Sequence, residues 1–78
     1  YHILVGNAEA LEFAIREESQ VTDIPLADLN LRKNLLVGCL NRNGHIRIPR
    51  GQDTIQVGDT VIIVTTHKGL RDITDILA

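Results

Sequence analysis

Residues 35–64 read LLVGCLNRNGHIRIPRGQDTIQVGDTVIIV and contain the strongest fold signals in the chain. Asn43-Gly44 favours the two-residue hairpin loop in which both central residues take positive φ. A strand over 35–42 is therefore predicted to pair antiparallel with a strand over 45–49. The stretch carries information about the fold but no visible catalytic chemistry.

Alternation along the first hairpin strand assigns its side chains to two faces. One face is predicted to hold Leu35, Val37, Cys39, Ile46 and Ile48, and the opposite face to hold Leu36 and Leu40 beside His45 and Arg47. A strand that is apolar on both sides normally has both covered, and a domain this small has enough residues to cover only one of them. We therefore expect Leu36 and Leu40 to contact a second subunit.

Turn signals place two further elements. Pro25 is compatible with the start of a short helix near 26–29. After the Gly58-Asp59 turn, an apolar run predicts a strand at 61–66 in the middle of the sheet.

The end of the chain has a helical period. Leu70, Ile73 and Leu77, with Ile76 beside them, recur at helical spacing, which predicts a C-terminal amphipathic helix. Its outer face holds four charged residues: Lys68, Arg71, Asp72 and Asp75. Residues 8–16 are ambiguous, because Asn7 and the Ala/Glu/Leu content suit a helix whereas Leu11, Phe13 and Ile15 alternate as in a strand.

Composition excludes several classes of protein. The chain has 78 residues, a net charge of -2, one Tyr and one Phe, so it offers neither electrostatic attraction nor stacking surfaces for nucleic acid. Cys39 is the single cysteine, and we interpret it as a buried, reduced thiol in the cytoplasm. No apolar run approaches the roughly 20 residues of a membrane span. A first residue of Tyr rather than Met suggests a piece of a longer protein.

The sequence gives little support for catalytic or metal-binding residues. His2, His45 and His67 lack ligand spacing, and Asp53 and Asp59 are better explained as turn formers that bond nearby backbone amides. The hydroxyl residues accompany no nucleophile-base arrangement, so no enzyme is expected. The hairpin arginines suit either a phosphate or acidic neighbour, or simple solvation of a sheet edge, which is the more ordinary role: Arg42, Arg47 and Arg50.

The spaced pattern of the chain resembles the TrkA C-terminal domain, also called the RCK C-terminal domain. The resemblance covers nearly the whole chain from Ala8 and is carried by a set of short segments: Leu26-Ala27-Asp28-Leu29, Ile48-Pro49-Arg50-Gly51, Asp53-Thr54-Ile55 and Gly58-Asp59-Thr60-Val61. The segment Gly69-Leu70-Arg71-Asp72-Ile73 is similar to the tail of bacterial Trk potassium-uptake regulators.

The resemblance implies an α+β fold with a small antiparallel or mixed sheet, in which 11–16 is a strand. Residues 1–7 are then a lead-in or linker, and 8–78 form the regulatory domain. It also implies a homodimer and a role in potassium transport, through a cytoplasmic assembly that gates a membrane potassium channel or transporter subunit at the inner face of the plasma membrane.

The resemblance further implies a possible ligand, because some relatives enclose cyclic di-adenosine monophosphate between two such domains. Arg32, Asn34 and Pro49 lie in the corresponding regions. Such relatives carry an aromatic-Gly pair before the second strand where this protein has Lys33-Asn34-Leu35, so solvated loop charges are the simpler interpretation of Arg32 and Lys33.

The sequence has no G-x-G-x-x-G, and NAD(H) or ATP is expected only in an N-terminal nucleotide-binding domain outside this sequence. The alternative is a purely structural dimerisation module of a transporter or antiporter regulator, with no ligand of its own.

Overall fold

A five-stranded antiparallel sheet with strand order β1-β2-β5-β3-β4 organises the domain. The computed structural model describes residues 2–78, and it describes side chains from residue 6 onward. The strands are β1 (His2–Val5), β2 (Ala8–Ala14), β3 (Leu35–Arg42), β4 (His45–Arg47) and β5 (Thr60–Thr65). Two short 3-10 helices, η1 (Leu26–Asp28) and η2 (Ile73–Ile76), complete the regular structure of these residues.

The α+β prediction is wrong, because residues 2–78 form strands and 3-10 turns and contain no α-helix. The short helix expected near 26–29 is the single turn η1, with Pro25 at its N-cap position. Within the described residues, no helix is long and apolar enough to cross a bilayer.

The predicted C-terminal amphipathic helix is replaced by η2 and an extended end. A capping box formed by Asp72 and Asp75 starts η2, but Leu77 is already extended at φ -77 and ψ 142. Main-chain bonds to a distant segment account for this, since Arg32 N donates to Ile76 O and Ala78 N donates to Asn30 O, both at 2.8–2.9 Å. The Ala78 N–H therefore bonds across the fold rather than to Thr74 O, which would be its partner in a continued α-helix.

The hairpin prediction is confirmed at its turn and in its register. Asn43 and Gly44 both have positive φ, 53° and 82°. The observed pairs are Leu40 with Arg47, Asn41 with Ile46, and Arg42 with His45. The second strand ends at Arg47 rather than at the predicted residue 49.

Strand β5 lies in the centre of the sheet, as predicted, one residue earlier than the 61–66 expected from the sequence. Its side chains alternate between full and partial burial, so Val61, Ile63 and Thr65 point into the core. The loops after β2 and β4 and the C-terminal η2 cover this side. The core contains Ile15, Val21, Val37, Leu40, Ile55, Val61, Ile63, Ile73 and Ile76.

The ambiguous N-terminal segment is a strand, because β2 pairs with β5 along Glu9 to Ala14 and its side chains alternate. The segment expected as a lead-in contains β1, which pairs with β2 from His2↔Leu11 to Val5↔Ala8. Tyr1 lies outside the described residues. The sheet is thus wider at this edge than the sequence suggested.

Candidate functional site

The face of the sheet opposite the core is apolar and uncovered in the single protomer. We call it the open face and define it by its apolar residues Ala10, Leu36, Ile46, Ile62 and Val64. Val64 pairs with Ala10 and with Leu36, whereas Ile62 pairs with Glu12 and Cys39, and Ile46 pairs with Asn41. Leu36 is 62% exposed and Ile46 is 71% exposed. Contiguous exposed apolar patches are typical of interaction surfaces.

A β-bulge at Gly38 determines which side chains of β3 reach the open face. Val37 pairs with Ile63 and Cys39 with Ile62, so Gly38 is an extra residue without a partner. The predicted sharing of one face by Leu36 and Leu40 is therefore wrong. Leu36 lies on the open face, whereas Leu40 is fully buried in the core.

The bulge also changes the position of Cys39. Strict alternation put it beside Leu35 and Val37, but after the bulge it is on the open face opposite Ile62. The thiol is half-buried and unpaired rather than buried in the core. A Cβ built on Gly38 would lie 3.4 Å from Val64 Cγ2 and 3.6 Å from Ile62 O, in ordinary van der Waals contact with both.

Two shallow grooves flank Leu36. The first has a volume of about 230 Å³ and lies between the sheet, η1 and the Pro49-Arg50-Gly51 turn. The second, of about 350 Å³, lies at the start of β3 beside β5 and β2. Leu35 and Leu36 line both grooves. A molecule that covers Leu36 therefore has access to both.

The three residues predicted to bind a ligand do not converge within one protomer. Pro49 lines the first groove and Asn34 lines the second. Arg32 lines neither groove, and its Nε donates to Leu77 O at 3.3 Å. Asn34 has a positive φ of 59°, and its carbonyl accepts a bond of 3.0 Å from Thr65 Oγ1.

Arg50 is the cation that the sequence reasoning did not assign to the groove. It is exposed, it lines the first groove beside Pro49, and no carboxylate of the described residues is within ion-pair distance of it. Its position in Ile48-Pro49-Arg50-Gly51, directly after the candidate ligand residue Pro49, could have indicated this role. An unpaired guanidinium at the edge of an apolar groove suits an anionic group.

Asp53 holds the turn that carries Arg50. Its Oδ2 accepts from Arg50 N at 2.6 Å and its Oδ1 accepts from an Arg47 guanidinium nitrogen at 3.0 Å. Leu26 N donates to Asp53 O at 2.9 Å, which joins the turn to η1. The interpretation of Asp53 as a turn former is confirmed, and the turn forms one wall of the first groove.

Arg42 and Asp59 form a bidentate ion pair on the core side of the sheet. Arg42 Nε and one terminal nitrogen donate to the two Asp59 oxygens at 2.9 and 2.8 Å, and Arg42 also donates to Thr54 O at 2.9 Å. Gln56 N donates to Asp59 at 2.8 Å, as expected of a turn former. Arg42 thus has a buried partner and does not merely solvate the edge.

The ion pair shifts the pKa values of both Arg42 and Asp59. The hydrogen bond from Arg42 holds the pKa of the Asp59 carboxyl below its usual range, against the opposing effect of burial. The same bond raises the pKa of Arg42. Both groups therefore stay charged at neutral pH, and the pair fixes the loop before β5 to the end of β3.

The histidines are separated in the fold. His45 is exposed beside the hairpin turn, and His67 Nε2 is 2.6 Å from Lys33 O. His2 belongs to β1. Among the described residues, no three His, Cys, Asp or Glu side chains are grouped as a metal site.

Comparisons with known proteins agree on one family. The family model of the TrkA-C domain matches residues 10–78. A Trk system potassium uptake protein TrkA homolog of Archaeoglobus fulgidus is 40% identical over 66 residues, which are 85% of this chain and 15% of that protein.

Two further relatives carry similar names. A TrkA homolog of Pyrococcus abyssi is 31% identical over 90% of this chain and 31% of its own length. The Trk system potassium uptake protein TrkA of Azorhizobium caulinodans is 30% identical over 91% of this chain and 16% of its own length. The chain therefore spans less than a third of the length of these relatives.

Proposed function

We propose, because this chain belongs to the TrkA-C domain family, that it is a regulatory domain of a potassium-uptake protein. The relatives are named for potassium uptake by the Trk system. The single observation that carries the physical side of the proposal is the open face, which leaves Leu36 62% exposed in an isolated protomer. The role is regulatory rather than catalytic.

The domain acts as a homodimer through the open face. A core built on one side of a small sheet leaves the other side in water, and a second copy removes that apolar area from solvent. Leu36 lies at the centre of the contact, between the two grooves. Leu40 is not part of it, because its side chain is fully buried within its own protomer.

A ligand regulates the assembly by binding two arrangements of the dimer with different affinity. We propose cyclic di-adenosine monophosphate as the ligand, with Pro49 and Asn34 on opposite sides of Leu36 contributing to the site. Arg50 supplies the phosphate contact in place of Arg32. NAD(H) or ATP binds a separate nucleotide-binding domain of the parent protein.

The regulated partner is a membrane potassium channel or transporter subunit. The domain belongs to an assembly in the cytoplasm, peripheral to the inner face of the plasma membrane. Such an assembly transmits a change in the dimer to the membrane subunit through the rest of the parent protein.

Calorimetry tests the ligand. Titration of the domain with cyclic di-adenosine monophosphate is expected to release or absorb heat, and separate titrations with ATP and with NADH are expected to give none. Arg50→Ala should weaken binding, whereas the matched variant Arg32→Ala, whose guanidinium bonds Leu77 O, should leave the affinity within about twofold. Equal losses in the two variants would contradict the assignment of Arg50.

A second candidate function is a dimerisation module without a ligand. It is favoured by the separation of Arg32 from both grooves, since the three predicted ligand residues do not meet in one protomer. A domain that sediments as a dimer and gives no heat with any of the three nucleotides has this structural role alone.

A further inference from the structure

The tip of the β3–β4 hairpin holds the one asparagine of the sequence that precedes a glycine, Asn43. Gly44 has no Cβ beside its main-chain nitrogen, so this nitrogen can approach the Asn43 side chain. We propose that Asn43 is a site of spontaneous chemical modification, which closes to a succinimide and opens to aspartate or isoaspartate.

The surroundings of the tip permit the reaction. Asn43 and Gly44 are both exposed, and a Cβ built on Gly44 would meet nothing within 4 Å. No side-chain hydrogen bond to another described residue holds the Asn43 amide. Residues 43–48 are exposed throughout, so neither water nor the movement of the tip is obstructed.

The other asparagines provide internal references. Each precedes a residue with a side chain, and they differ in exposure: Asn7, Asn30, Asn34 and Asn41. Asn34 is the sharpest reference, because it also has a positive φ and is exposed but is followed by Leu35. A difference in conversion rate between Asn34 and Asn43 therefore reflects the effect of the following glycine.

The chemistry needs only water as a co-reactant. The Gly44 nitrogen attacks Asn43 Cγ, a bond forms between these two atoms, and ammonia leaves with the proton of that nitrogen. Water then adds to the five-membered imide. Cleavage of the newly formed bond to Asn43 Cγ gives aspartate, and cleavage of the original peptide bond between Asn43 and Gly44 gives isoaspartate.

The two products have different consequences for the hairpin. Aspartate keeps the turn, because Asp-Gly suits the same two-residue loop, and adds one negative charge. Isoaspartate adds a carbon to the backbone inside a loop that sets the register of β4. Because β4 has three residues and lies at the sheet edge, it has few other bonds to hold it in place.

Peptide mapping by mass spectrometry tests the site. The folded protein is incubated at neutral pH, and the acid form is expected to accumulate at Asn43 before any other asparagine. A parallel sample in guanidinium chloride gives the rate for the unfolded protein. The proposal is overturned if another asparagine converts first, or if Asn43 converts in the unfolded protein and remains an amide in the folded one.

Hydrogen exchange tests the structural consequence. The isoaspartyl fraction, separated by ion exchange, is expected to lose the amide protection of β4, with Asn43→Asp as the matched reference that retains it. Equal protection of β4 in the two proteins would overturn the inferred effect on the hairpin.

Discussion

The two faces of the sheet are built from similar side chains but lie in different surroundings. On the core face, Leu40, Val61 and Ile63 are fully buried beneath the loops after β2 and β4 and the C-terminal η2. On the open face, Leu36 and Ile46 remain more than half exposed. Residue type alone therefore does not distinguish the buried face from the exposed face in this domain. The position of the covering loops does.

The largest expected effect is a difference in stability between variants of two leucines in the same strand. Leu40→Ala removes a fully buried side chain and should cost about 2–5 kcal/mol of unfolding free energy. Leu36→Ala removes an exposed one and should cost less than about 0.5 kcal/mol in the monomer. Urea titration of both variants measures the difference. Leu40→Val serves as a milder core variant, and equal losses at the two positions would contradict the assignment of faces.

The second effect concerns the ion pair that fixes a covering loop. Asp59→Asn should cost about 2 kcal/mol at neutral pH, because it removes the charge that Arg42 bonds. The lowered pKa of Asp59 gives a stabilisation that is present above its unfolded value of about 3.9 and is lost as pH falls through the folded value.

Stability of the native domain should therefore decline on acidification, and Asp59→Asn should decline less steeply. The slope should not vanish, because bonds from the Arg71 and Asp72 amides also lower the pKa of Asp75. Thermal melts across the acid range, with Asp75→Asn as the matched control, check both contributions. An unchanged acid slope in Asp59→Asn would contradict the linkage.

A smaller effect tests the hairpin that extends the open face. Gly44→Ala forces a side chain into a φ of 82° and should cost about 1 kcal/mol. Asn43→Gly, at the neighbouring positive φ, should keep the turn and change stability less. Urea midpoints compare the two variants, and a neutral Gly44→Ala would mean that the turn relaxes without strain.

The smallest effect on folding is paired with a large effect on assembly. Leu36→Asp places a charge on the open face, so it should change monomer stability by less than about 0.5 kcal/mol while it abolishes dimerisation. Val57→Asp is the matched control, since Val57 is 49% exposed but belongs to a covering loop. Sedimentation velocity of both variants tests the proposed dimer contact. Loss of the dimer in Val57→Asp alone would contradict it and place the contact on the covered side of the domain.

The parts of the fold that depend on local chemistry were predictable from sequence. Asn43-Gly44 specified its turn and therefore the register of β4, and Asp53 and Asp59 accept the backbone bonds expected of turn residues. These features depend on neighbours within a few residues. The same locality explains why the TrkA-C pattern was recognisable from short motifs.

The features that depend on distant contacts were not predictable. The apolar spacing of Leu70, Ile73 and Leu77 suits a helix, but Ile76 and Ala78 bond to residues 30–32 instead, which no local pattern reports. For the candidate site, Asn34 and Pro49 do line grooves, while Arg32 turns to Leu77. Gly38, a glycine within an apolar strand, indicated the bulge, but the face assignment assumed strict alternation through it.

The bulge at Gly38 makes the residue count of β3 as important as its composition. Residues 35–37 and 39–42 each alternate correctly, but the two runs are out of phase by one position. Deletion of Gly38 would remove the extra residue and leave both runs on their present sides, as one regular strand. A one-residue insertion within either run would instead exchange inside for outside over half a strand, whereas most substitutions at exposed positions leave both runs where they are.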